Sequence, residues 1–157
     1  IEQDWGQAFP AGYVWMHTQH FTSPGVSLMA SVALIPWLRG RFRGLLIGLR
    51  TPRGLQVFAT YNGTRTEHLA IDDEHVHLVV RRRDGWRLEL RAERVGGALL
   101  HAPIRTQMHR RVEETLDARI AVRLTDSDGR VLLDDVGEVA GLEVHGEIDG
   151  LLATADR

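Results

Sequence analysis

Cysteine and lysine are both absent from this chain of 157 residues, and all 19 of its basic residues are arginine. Without cysteine the protein has no disulfides, no thiolate nucleophile and no cysteine-ligated zinc. The absence of lysine excludes Schiff-base chemistry and the lysine of a phosphate-binding P-loop. Chemistry that depends on pyridoxal phosphate is therefore excluded.

Long apolar runs and a strong net charge are also missing. The longest apolar stretch, residues 27–38, is shorter than the ~20 residues of a membrane-spanning helix and contains Pro36. The formal net charge of −2 provides no positive field for nucleic acid. The first residues lack a basic or apolar targeting region, so we expect no signal peptide. We predict a cytoplasmic or membrane-peripheral protein with no transmembrane segment and no nucleic-acid partner.

Alternating apolar and polar residues, separated by turn signals such as Asn62-Gly63, are typical of antiparallel strands. The predicted strands are 12–22, 26–36, 42–50, 54–61, 64–71, 74–83, 86–94, 104–113, 114–125, 129–136 and 139–146. A short helix is an alternative for residues 106–117. About 8–11 strands in meander order avoid exposed edges by closing. We therefore predict an all-β, lipocalin-like (calycin-like) antiparallel barrel formed by residues 1–157 as a single domain.

One predicted strand places a carboxyl group in phase with an apolar face. The residues on that face are Leu116, Ala118, Ile120, Val122 and Leu124. Glu114 continues the face backwards, and apolar surroundings favour the protonated form of a carboxyl. Glu114 is therefore a candidate proton donor; the alternative is a strand-end residue paired with Arg110 or Arg111.

The first strand is unusual because neither of its faces is plainly apolar. Tyr13, Trp15, His17, Gln19 and Phe21 share one face. Aromatic rings interrupted by a few polar groups suit a ligand site, because rings supply contact area and polar atoms fix orientation. The alternative is a core strand whose polar atoms find partners inside the protein.

Short motifs in a fixed order carry a family resemblance. They are Asp4-Trp5-Gly6, Phe9-Pro10, Tyr13-x-Trp15-x-His17-x-Gln19-x-Phe21, Phe58-x-x-Tyr61-Asn62-Gly63, Leu100-His101-Ala102-Pro103 and Leu142-Glu143-Val144-x-Gly146. In this order they resemble the C-terminal half of tocopherol cyclase-like proteins. Tyr13 stands where that family has tryptophan, and His17 and Gln19 stand where it has glutamine and asparagine.

The resemblance implies a lipocalin-like barrel that binds a prenylated quinol or another isoprenoid. It also implies an isomerase that closes a chromanol ring without a cofactor, and a companion N-terminal domain. Such a ring closure needs a proton donor, a stabilised cation and a base at the phenol. The catalytic candidates are Glu114 and His17. The ligand-binding candidates are Tyr13, Trp15, Gln19, Phe21, Phe58 and Tyr61.

Two other functions fit the same residues. One is a non-catalytic module that carries or sequesters a lipid. The other is an interaction domain whose first-strand aromatics pack on an N-terminal barrel. The eight histidines show no known metal-ligand spacing, so we expect no metal site.

Overall fold

The computed structural model describes residues 9–38, 40–104 and 107–156. Its strands are β1 Gly12–Thr18, β2 His20–Phe21, β3 Ser27–Trp37, β4 Gly40–Thr51, β5 Gly54–Ala59, β6 Arg65–Ile71, β7 His75–Arg81, β8 Arg87–Glu93, β9 Ala98–Ile104, β10 Gln107–Thr125 and β11 Val131–Gly146. A 3-10 turn, Thr60–Asn62, follows β5, and a short helix α1, Ile148–Ala153, follows β11. The predicted all-β fold is confirmed.

The strands form one antiparallel sheet that curls into a nearly closed barrel. Its main path runs β5-β4-β3-β1-β11-β10-β8-β7-β6, while β2 pairs with β11 and β9 pairs with β10. Most neighbours in space are neighbours in sequence, as the meander prediction requires. Because β1 pairs with β11, the first and last strands join, and β5 and β6 stand at the two ends of the path.

The segment after β11 connects strands from the two ends of the sheet. Leu151 of α1 is fully buried against the barrel. The backbone N–H of Arg43 on β4 donates to the carbonyl of Ala155 at 3.0 Å. The Asp156 carboxylate accepts from the backbone N–H of Thr66 on β6. These contacts bridge β4 and β6 where the barrel is otherwise open.

The interior of the barrel is filled by apolar side chains from the inward faces of the strands. Its largest fully buried members are Phe58, Met16, Leu28, Leu34, Ile47, Leu49, Leu78, Leu88, Leu90, Ile120, Leu124 and Leu151. On β1 the inward residues are Val14 and Met16, both fully buried. This alternation places Tyr13, Trp15 and His17 on the opposite face of the sheet.

Several predicted strand boundaries are wrong. Strand β10 runs without a break through the predicted boundary at residues 113 and 114, and the helix alternative there is also wrong. Likewise, β11 joins the two strands predicted on either side of residues 137–138. The first predicted strand is instead divided into β1 and β2. Register shifts between β10 and β11 allow each strand to continue where its alternation of inward and outward residues changes.

One irregularity reverses the predicted orientation of Glu114. Between Thr115 and Ala118 the register of β10 against β11 shifts by one residue. Thr115 is consequently buried at 7% exposure, whereas Leu116 is 66% exposed. An extra residue in one strand changes which face the following side chains occupy. The inward face from Ala118 to Leu124 is confirmed, and the inward prediction for Leu116 is wrong.

Candidate ligand site on the outer face of the sheet

The outer face is the surface of β10, β11, β1, β3 and β4 that points away from the barrel interior. Tyr13, Trp15 and His17 all lie on it, because their neighbours Val14 and Met16 point inward. Tyr13 is only 5% exposed. The ring of Phe9 lies 5.6 Å from its ring, centroid to centroid.

Strand pairing aligns a row of residues across this outer face. Leu46 pairs with Ser31, Ser31 pairs with Trp15, and Trp15 pairs with Glu143. Glu143 then pairs with Glu114 on β10. Neighbouring strands are about 4.8 Å apart, so the row spans roughly 19 Å. Apolar, aromatic and acidic groups therefore follow one another in a single line.

The row brings two carboxyl groups together at one end. Glu143 and Glu114 are directly opposite each other across β11 and β10. Both are half-buried, so each combines contact with protein and contact with water. The hydroxyl of Tyr13 donates to Oε2 of Glu143 at 2.8 Å. Glu143 belongs to a motif that carried the family resemblance, but the sequence argument gave it no role.

A glycine allows the Trp15 indole to lie close to β11. A β-carbon at Gly141 would lie 2.8 Å from Cζ3 of Trp15 and 3.7 Å from Cδ2 of Leu116. The indole therefore occupies the space that a larger residue at Gly141 would fill. The His17 ring follows along β1, with its centroid 5.9 Å from that of Trp15. Both catalytic candidates thus lie on the same face of the sheet as this indole.

An apolar groove of about 610 Å³ lies on β3 and β4, at the end of the row that holds Ser31 and Leu46. It is lined by Ser31, Ala33, Ile35, Phe42, Gly44, Leu45, Leu46, Thr60 and Tyr61. A β-carbon at Gly44 would lie 2.6 Å from Cγ1 of Ile35, so this glycine makes room for the isoleucine. The volume and the mainly apolar lining are typical of small-molecule sites.

The remaining predicted site residues occupy different environments. Phe58 is fully buried in the barrel, with the guanidinium of Arg82 5.2 Å above its ring. Phe21 is half-buried and packs against the core. Gln19 is exposed between β1 and β2. Tyr61 is 78% exposed and lines the groove, so it is the one of these four residues that contributes to the outer site.

Charged side chains dominate the opposite side of the barrel, on β7 and β8. Glu89 accepts hydrogen bonds from Arg87 and Arg91, at 3.1 and 2.9 Å. Nε2 of His77 lies 3.0 Å from Oε1 of the same carboxylate.

In the part of the chain that the structure describes, no group of three His, Asp or Glu side chains is arranged to hold a metal ion. Nor does any helix described there have the length and apolar character to cross a bilayer.

Glu89 makes the stability of the fold sensitive to acid. Burial raises its pKa, but the hydrogen bonds from Arg91, Arg87 and His77 outweigh burial and lower the pKa to about 2. A lowered carboxylate pKa stabilises the folded state above the unfolded-state pKa, and this contribution is lost as pH falls. We expect Glu89→Gln to lower the free energy of unfolding by on the order of 1–2 kcal/mol at neutral pH and by little near pH 2. Urea denaturation across that pH range measures the difference, and equal losses at both ends would contradict it.

Comparison with known proteins gives a match to one family model. No curated protein and no solved structure gives a significant match to this chain. The model of one protein family, described as tocopherol cyclase-like, matches residues 1–146. This match covers every strand of the barrel, and the chain therefore belongs to the tocopherol cyclase-like family.

Proposed function

We propose that the outer face binds a prenylated quinol and closes its chromanol ring. The observation that carries the proposal is the row from Leu46 to Glu114, which joins an apolar groove to a pair of carboxyl groups. The isoprenoid tail lies in the groove over Ser31, where apolar burial favours it. The quinol ring, together with the first alkene of the tail, lies beyond Trp15.

The reaction is an isomerisation in which atoms and electrons balance. Glu114 in its protonated form gives a proton to the less substituted carbon of the alkene, which leaves a tertiary cation on the other carbon. The phenol oxygen attacks that cation and forms the new carbon–oxygen bond. The phenol proton passes to a base, for which His17 and Glu143 are the candidates. The face of Trp15 stabilises the cation through its π electrons.

Chromanol formation from a prenylated hydroquinone tests this activity. We expect a product of unchanged mass in ordinary water. In heavy water one carbon-bound deuterium marks the protonated alkene carbon. Glu114→Gln is expected to lower the rate about 100-fold or more, since a positioned acid contributes roughly 10²–10⁴. Glu138→Gln serves as the matched control. The Glu138 carboxylate lies elsewhere on β11, where it pairs with Arg119.

The assay is run on this chain and on the full translated product of its gene. If neither forms chromanol above the protein-free rate, the catalytic proposal is wrong. If chromanol forms equally well in Glu114→Gln, the assignment of the proton donor is wrong.

Binding without catalysis is the second candidate function. Glu114 and Glu143 are only half-buried. Water at an open surface solvates the ionised form of a carboxyl group, whereas a proton donor needs the protonated form. This observation favours a protein that carries or sequesters an isoprenoid. Quenching of tryptophan fluorescence by a prenylated quinol, unchanged in Glu114→Gln and His17→Ala and without turnover, would support the carrier.

A further inference from the structure

Acidic residues are completely absent from one continuous part of the chain. Residues 5–66 contain six arginines and no aspartate or glutamate, although the whole chain has 21 acidic residues. Four strands within this range, β1, β3, β4 and β5, are neighbours in the sheet. One side of the barrel is therefore built from strands without acidic residues, and the arginines of these strands are all on β4.

Large apolar side chains are exposed on the same side. Trp37 and Leu38, at the tip of the β3–β4 hairpin, are 49% and 93% exposed. Leu46, Leu55 and Tyr61 are also exposed on or beside β4 and β5. Exposed apolar groups that cluster on one side of a protein mark an interaction surface.

Two arginines lie at the end of β4 that is remote from this hairpin tip. Arg50 pairs directly with Leu55 across β4 and β5, and Arg53 lies in the turn between the two strands. Both arginines are exposed. Among the described residues neither forms an ion pair, whereas Arg41 pairs with Glu147. Their guanidinium groups are thus available to an anionic partner.

We propose that this side of the barrel docks on a lipid bilayer with anionic headgroups. Tryptophan is favoured at the interface between membrane and water, and an adjoining leucine inserts into the acyl region. Arg50 and Arg53 contact the headgroup phosphates, where each basic residue near the surface strengthens binding. The exposed apolar groups favour this partner over an acidic protein, because a bilayer offers both negative charge and an apolar layer.

Docking of this kind extends the proposed function, because Leu46 and Tyr61 belong both to the exposed side and to the groove. An isoprenoid dissolved in the bilayer would enter the groove without crossing water. The membrane proposal does not depend on the quinol, and vesicle binding without any quinol tests it separately.

Co-sedimentation with vesicles tests the docking surface. We expect the protein to bind vesicles of phosphatidylcholine mixed with phosphatidylglycerol more tightly than vesicles of phosphatidylcholine alone. Binding should weaken as salt is added, because salt screens exposed charges. The double variant Arg50→Glu, Arg53→Glu is expected to lower the partition coefficient about 30-fold or more. Trp37→Ser with Leu38→Ser should lower it about tenfold or more.

The matched control lies at the turn between β10 and β11. Arg130 and Val131 are exposed there, on the part of the barrel that carries the acidic residues. Arg130→Glu with Val131→Ser should change the partition by less than about twofold, because surface changes outside the docking side have small effects. Equal binding to the two kinds of vesicle, or equal effects of the docking and control variants, would overturn the proposal. So would a dimer in light scattering that Leu38→Ser dissociates and that binds no vesicles, because the side would then pair with a second copy.

Discussion

Asp156→Ala is expected to lower the free energy of unfolding by about 3–5 kcal/mol. Oδ1 of Asp156 lies 2.8 Å from Nε of Arg43, and the two side chains are only 7% and 12% exposed. The hydroxyl of Thr66 donates to the same carboxylate at 3.0 Å. Removing the carboxylate leaves a buried guanidinium without its counter-charge, and it also breaks the bridge between β4 and β6. Urea denaturation with linear extrapolation measures the loss.

An exposed ion pair close to this one provides the control. Arg41 and Glu147 also join β4 to the segment after β11, but their side chains are 47% and 53% exposed. We expect Arg41→Ala to lower the free energy of unfolding by less than about 1 kcal/mol, because water and salt screen such a pair. Asp156→Asn, which retains the shape of the side chain without the charge, should fall between the two. Similar losses for the Asp156 and Arg41 variants would show that the bridge does not stabilise the barrel.

Ser31→Phe is expected to weaken the binding of a prenylated quinol about 100-fold or more, because the ring occupies the apolar groove that would bury the tail. Ser31 lies in the floor of that groove, between Leu46 and Trp15 in the cross-strand row. The variant should remain folded, since its side chain points away from the core. Quenching of tryptophan fluorescence by the quinol measures affinity, and thermal unfolding checks the fold.

Ser27→Phe is the matched control on the same strand. Ser27 shares the outer face with Ser31 but pairs with Arg50, and it does not line the groove. The same change there should alter affinity by less than about twofold. If both variants bind equally well, the quinol does not lie in this groove. If both lose affinity, the effect belongs to β3 as a whole rather than to the groove.

The inward faces of β7, β8 and the end of β10 could be predicted from the sequence. In each strand, apolar residues recur at every second position, as Leu88 and Leu90 do between Arg87, Glu89 and Arg91. Strand geometry turns this period of two into one buried and one solvated face. Long-range information was unnecessary there, and the burial of Val76, Leu78, Leu88 and Leu90 confirms the prediction.

The face of β10 that carries Glu114 could not be predicted from local alternation. Extrapolating the phase of Ala118 and Ile120 backwards placed Leu116 on the inward face with Glu114. The register shift in β10 breaks that phase, because the pairing with β11 leaves an extra residue between Thr115 and Ala118. A bulge depends on the partner strand, and the partner lies more than twenty residues away in sequence. Reading one strand alone therefore gave the wrong face.

The lack of cysteine and lysine, the alternating strands and the motif order were readable from the amino acids alone, because they are properties of composition and short spacing. The tertiary structure decided which face of β1 meets the core, and that face is the one with Val14 and Met16. It also brought Glu143 and Tyr13, 130 positions apart in sequence, within hydrogen-bonding distance. Both outcomes depend on the register between β1 and β11, which is set by the packing of the whole barrel.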